Sequence, residues 1–157
     1  MCGDSHLPAA PESADRVAII HPSSESSFRG RLRLSNRAEG ATTTTLQCVD
    51  EWTGICAANA RLNVRIHKFG QPVSKGPSSI SSAGSSSSSG SDSESDDDCD
   101  LSNPIVHSFF VNTKTGSRSG GLRLDLGVGG EGVVGRTVSI FDSRSRKILG
   151  EGIIGWS

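Results

Sequence analysis

The segment Phe28–Ser35 reads FRGRLRLS, and its strict alternation constrains the fold more than any other feature. Phe28, Gly30, Leu32 and Leu34 fall on one side of an extended chain, and Arg29, Arg31 and Arg33 on the other. A period of two is the signature of a strand with one buried and one wet face. Ala60–His67, ARLNVRIH, repeats the pattern, with Leu62, Val64 and Ile66 on one side and Arg61, Asn63, Arg65 and His67 on the other. Short β-favouring runs elsewhere predict strands at Arg16–His21, Thr42–Val49, Ile105–Asn112, Gly121–Leu126, Val133–Phe141 and Gly152–Trp156. Turn residues separate them at short spacing, Pro22 and a serine cluster after the first and Asn36–Gly40 after the second. No segment carries helical periodicity. Eight short strands with no helix predict an all-β antiparallel sandwich or barrel.

One stretch breaks the pattern. Residues 72–103 centre on SSISSAGSSSSSGSDSESDDDCD, which offers too few apolar side chains to form a core and offset the entropy of ordering it. It reads as a disordered Ser/Asp-rich loop inserted between clear strands, and loop closure costs little more for a long loop than for a short one. Residues 1–15, with Pro8 and Pro11 and no periodicity, read as a flexible N-terminal arm. The remaining sequence between 16 and 157, about 110 residues, suits one domain.

Sixteen basic and 17 acidic residues leave a net charge of −1, which argues against nucleic acid as a partner. The signs are unevenly placed, with acid in Asp92–Asp100 and base in Arg29–Arg37 and Arg144–Lys147. Ser91, Ser93 and Ser95 lie among or before the acids and suit an acid-directed kinase, although a solubilising spacer needs no kinase. The four cysteines, Cys2, Cys48, Cys56 and Cys99, form no CxxC pair and read as free thiols of a reducing compartment. Cys48 and Cys56 flank a Trp-Thr-Gly turn and could meet across it. No apolar core of a signal peptide and no run near ~20 apolar residues is present, so a soluble, cytosolic product with no membrane partner is expected. The glycine-rich Gly127–Arg136 leads into a strand instead of opening a helix, so it reads as a turn and not a nucleotide loop.

Three segments, in order, resemble the copper/zinc superoxide dismutases. RIHKFG, Arg65–Gly70, is similar to that family's copper-ligand strand His-Val-His-Glu-Phe-Gly. VNTKTG, Val111–Gly116, sits where the family has a strand and turn after its zinc loop. VVGRTVSIFD followed by GEGIIGWS resembles the C-terminal stretch. Within the family the likeness is to the short, metal-site-degenerate superoxide dismutase-like proteins of poxviruses, through His67–Gly70 and Phe109–Asn112.

The resemblance implies an eight-stranded antiparallel Greek-key sandwich or barrel. It also implies a site stripped of its chemistry. Of the copper-ligand positions only His67 is retained, while Arg65 and Phe141 stand at two others. The bridging and zinc histidines would lie in the loop, which contains none, and His21 and His107 match no ligand position. Glu151 occupies the place of the family's C-terminal disulfide cysteine. The expectation is a pseudoenzyme with no catalytic residues, no bound metal and no cofactor. The family's subunit interface corresponds to Gly152, Ile153, Ile154, Gly155 and Trp156. A preserved interface on an emptied site implies a decoy that binds host copper/zinc superoxide dismutase or its copper chaperone in the host cytoplasm. A homodimer and a passive virion component are further expectations of the same class. The contrasting reading is a divergent metal-dependent dismutase using His67, His107 and Cys99 or Cys48.

Overall fold

The computed structural model describes residues 15–49, 59–73, 103–115, 117–118 and 121–157. Their regular structure is all strand and all antiparallel, with no helix among them. The strands are β1 (Asp15–Pro22), β2 (Gly30–Ser35), β3 (Thr43–Cys48), β4 (Arg61–His67), β5 (Ile105–Asn112), a two-residue pairing β6 (Ser117–Arg118), β7 (Thr137–Asp142) and β8 (Lys147–Trp156). They join in the order β5-β4-β7-β8-β1-β2-β3-β6, a curled sheet wrapped around one core.

The alternation read from the sequence sets which face is buried. In β2, Gly30, Leu32 and Leu34 point inward while Arg31 and Arg33 stay outside. In β4, Leu62, Val64 and Ile66 are fully enclosed. They meet Val138 and Ile140 of β7, Ile154 of β8, and Ala18 and Ile20 of β1 in a single cluster. Each large aliphatic group removed from water contributes roughly 1.5–3 kcal/mol, so this cluster dominates the stability.

Several boundaries differ from the sequence expectation. Gly121–Leu126 is not a ladder strand. Leu124 and Leu126 are buried as the alternation implied, but the segment is held by single bonds. Asn36 Nδ2 donates to the Leu124 carbonyl at 2.8 Å, and the Leu124 amide donates to Thr42 Oγ1 at 2.8 Å. The strand expected from Val133 begins at Thr137, because Arg136 N bonds back to Val133 O and Gly135 has φ +83°. The last strand starts earlier than expected, at Lys147.

The arm ends before Asp15. That carboxylate is buried and accepts from Ser35 Oγ at 2.6 Å, from Arg33, and from Arg37 at 3.1 Å. The Ser35 and Arg33 bonds hold its pKa below 3.8 against the opposing effect of burial. Arg33, expected on the wet face of its strand, thus ties β2 to β1, and Arg37 ties the following turn to it. Cys48 is disulfide-bonded, which corrects the free-thiol expectation at that position.

The opposite end of the loop expectation also changes. Asn103 was placed inside the loop at 72–103, yet it is 3% exposed. Its side chain accepts from Phe69 N at 2.8 Å and donates to Phe69 O at 3.0 Å and Gln71 O at 3.1 Å. With Lys68 N donating to Pro104 O at 2.8 Å, these bonds clamp the end of β4 to the approach to β5. The rest of the loop, 74–102, lies outside the described residues, as do residues 1–14.

Candidate functional site

His67 ends β4, which is paired to β5 on one side and β7 on the other. The side chain is 4% exposed, and both ring nitrogens are engaged. Nδ1 lies 2.9 Å from the carbonyl oxygen of Asn103, which can only accept, so Nδ1 carries the proton. Nε2 lies 2.8 Å from Ser139 Oγ and accepts its hydroxyl hydrogen. Burial pushes the imidazole pKa below 6.5, the Asn103 bond opposes this, and the Arg65 charge lowers it further. The ring is therefore held neutral in one tautomer.

Arg65 stacks on Phe141, with its guanidinium carbon 3.8 Å from the ring centroid. Its Nε donates to Asn63 Oδ1 at 3.0 Å. Register brings this about, since Asn63 faces Phe141 and Arg65 faces Ser139 across β4 and β7. The two residues at expected ligand positions thus form a cation–π pair. These residues do not fit a copper ion. The one lone pair of His67, on Nε2, is committed to Ser139, the guanidinium has no acceptor to offer, and its charge repels a cation. His107 is half-buried with its pKa lowered, first by burial and then by Arg136. A disulfide-bonded Cys48 offers no thiolate. Cys99, the remaining ligand of the metal-enzyme reading, lies outside the described residues. Among the described residues no three His, Cys, Asp or Glu side chains converge.

A second feature lies on the outer face of β1 and β8. In RVAIIH, Ala18 and Ile20 point into the core, but Val17 and Ile19 are apolar too and point outward. A strand that is apolar on both faces has two surfaces to bury. Pairing of Ala18 with Ile154 and His21 with Glu151 sets Ile19 opposite Ile153. Ile19 is 46% exposed, Ile153 47% and Trp156 51%. They line a cavity of about 930 Å³ with Val17, Pro72 and Thr137, rimmed by Arg31, His21 and Glu151. Its size is that of a ligand or side-chain receptor.

The expected interface residues divide between the two faces. Ile153 and Trp156 are exposed and line the groove, Gly155 is half-buried, and Ile154 is 1% exposed and packs into the core. Gly152 is enclosed against β1, where a Cβ would lie 2.1 Å from the Ile19 carbonyl oxygen. Sequence reasoning missed Val17, Ile19, His21, Arg31, Pro72 and Thr137 as part of this surface. The outward Val17 and Ile19 were the available signal. Ser91, Ser93 and Ser95 lie outside the described residues.

The fold and surface define an antiparallel all-β protein with an open apolar groove beside a closed histidine. No family model, no curated protein and no solved structure matches the chain.

Proposed function

We propose that this chain is a catalytically inactive superoxide dismutase-like protein, an eight-stranded Greek-key barrel that works by docking a dismutase-type subunit on the outer face of β1 and β8. The observation that carries the reading is the apolar groove formed by Ile19, Ile153 and Trp156. A monomer gains nothing by exposing three large apolar groups together, and aromatic residues are favoured at interfaces. The strand order supports the topology, because β4 pairs with β7 and β1 with β8, as connections that skip along the chain require in a Greek key. The closed surroundings of His67 and the Arg65–Phe141 stack support a role without metal chemistry.

In this reading the protein acts in the host cytoplasm as a decoy for copper/zinc superoxide dismutase or for the dismutase-like domain of its copper chaperone, or is carried in the virion. The test is sedimentation of the full chain with each purified partner, alongside metal content and superoxide scavenging. Complex formation that Ile153→Asp abolishes is the expected result. Absence of a complex with either partner overturns the docking reading. Stoichiometric copper with scavenging activity would instead establish the divergent metal-dependent dismutase.

A further inference from the structure

The net charge of −1 is an average over two unlike parts. Six of the 17 acids fall within 92–100, a stretch with no basic residue, leaving eleven acids against 16 basic residues elsewhere. The strands are therefore carried on a cationic body, and the placement of its arginines is informative.

On the outer face of β5, β4 and β7, Asn63 stands in register between Phe110 on one side and Phe141 on the other. An arginine lies diagonally on each phenylalanine. Arg61 sits 4.2 Å from the Phe110 centroid and Arg65 3.8 Å from the Phe141 centroid. Asn63 Nδ2 donates to Ser108 Oγ at 3.1 Å beneath them. Arg33, Arg37 and Lys147 each find a carboxylate, but among the described residues neither Arg61 nor Arg65 has one. Arg61 makes no hydrogen bond within the described residues, and Arg65 uses only Nε. Two planar guanidinium groups are thus held against aromatic rings, Arg61 at an exposed position and Arg65 at a half-buried one, with N–H groups left for an external acceptor. Four residues of strand separate them, about 13 Å at the usual rise of roughly 3.3 Å.

The geometry points to a binding face for single-stranded nucleic acid on β4 and its neighbours, in which Arg61 and Arg65 grip phosphates and offer their planes to stacked bases. Guanidinium planes and aromatic rings are the platforms on which unpaired bases stack, and the cationic surface follows the backbone. A strand of carboxylates would use the charge but would have no need of the stacked planes. None of Arg61, Asn63, Arg65, Phe110 and Phe141 lines the groove of β1 and β8, so the proposal stands or falls independently of the docking reading.

The experiment is fluorescence anisotropy of a labelled oligothymidylate of about 20 nucleotides titrated with the full-length protein at several salt concentrations. Binding that weakens with salt is expected. Arg61→Ala with Arg65→Ala should lower the log–log salt slope by about 1.4, two single-strand phosphate contacts. Arg61→Lys with Arg65→Lys keeps the charge but loses the planar stack, and should weaken binding about 10-fold with the slope little changed. Unshifted melting temperatures confirm that these outer-face variants fold, and Ile153→Asp should bind the oligonucleotide like wild type. No binding at low salt overturns the proposal. So does a double-lysine variant that binds as well as wild type, or displacement by polyglutamate as effective as by oligonucleotide, which would mark a general polyanion surface.

Discussion

His67 donates from Nδ1 to the main-chain oxygen of Asn103 across 2.9 Å, and Asn103 returns three side-chain bonds to Phe69 and Gln71 just beyond that histidine. Residues 36 positions apart are thereby locked into one polar knot inside the protein. Burial favours the neutral imidazole in this knot, with Nε2 accepting from Ser139.

Stability should therefore depend on pH in a window set by His67. Burial lowers its folded-state pKa below the ordinary 6.5, so between the two values the unfolded chain binds more protons. Stability is full above 6.5 and falls as pH drops past it toward the folded value. His107 shifts in the same direction and adds to the slope. A separate loss follows at lower pH, as Asp15 and Asp142, both held below 3.8, become protonated. Melting temperature measured against pH should show both phases. His67→Gln should be less stable overall but flatter in the upper window, and an unchanged slope would rule out His67 as its source.

Removing the Asn103 side chain tests the clamp. In Asn103→Ala, Phe69 N loses its partner, while the carbonyls of Phe69 and Gln71 each lose one of two donors and keep Thr137 N at 3.1 Å and Thr137 Oγ1 at 2.8 Å. One donor left without a partner and two weakened acceptors should cost about 1–2 kcal/mol. Asn103→Asp should cost no less, because a carboxylate cannot donate to the two carbonyls. Urea unfolding measures both. Faster hydrogen exchange at the Phe69 amide in Asn103→Ala would locate the damage at the clamp.

How much of this was visible in the sequence depends on what each pattern reports. Alternation reports burial, so the inward sets of β2 and β4 were legible residue by residue. It does not report who satisfies the backbone. Leu124 and Leu126 alternate and are buried, yet Thr42 and Asn36 take the place of a ladder partner. Asn103 was unreadable for a related reason. Its role comes from contacts to Phe69 and Gln71 more than thirty residues away, which no local pattern reports. The Asn-Pro pair before β5 was the one local hint of an ordered turn. The outer groove was half legible, since Ile153 and Trp156 stood out, but Ile19 only matters once β1 is known to lie beside β8.

The glycines of GEGIIG make that pairing possible, and they are not equivalent. A Cβ at Gly152 would sit 2.1 Å from the Ile19 carbonyl oxygen and 3.0 Å from its carbon, both main-chain atoms that cannot swing aside. At Gly155 the nearest atom would be the Val17 carbonyl oxygen at 3.9 Å, an ordinary contact. Gly152→Ala should therefore force β1 and β8 apart and cost ~2 kcal/mol or more, while Gly155→Ala should stay within about 0.5 kcal/mol of wild type. Thermal melts of the two variants decide this, and equal destabilisation would refute the close approach at Gly152.

The hairpin between β7 and β8 contains a conformational cost that can be removed. Asp142 organises its start, accepting from Arg144 N at 3.0 Å and from Ser145 Oγ at 2.8 Å. The turn then closes through Arg146 at φ +54°, in the left-handed region that a side chain disfavours by roughly 1–2 kcal/mol. Glycine adopts this backbone without that penalty but loses more chain entropy on folding, which offsets part of the gain. Arg146→Gly should thus stabilise by about 0.5–1 kcal/mol, seen as a higher urea midpoint at unchanged m-value. Arg146→Ala supplies the control. It removes the charge and length of the side chain but keeps the Cβ, so it should give no comparable gain. If alanine stabilises as much as glycine, the arginine side chain and not its backbone angle is the source of the cost.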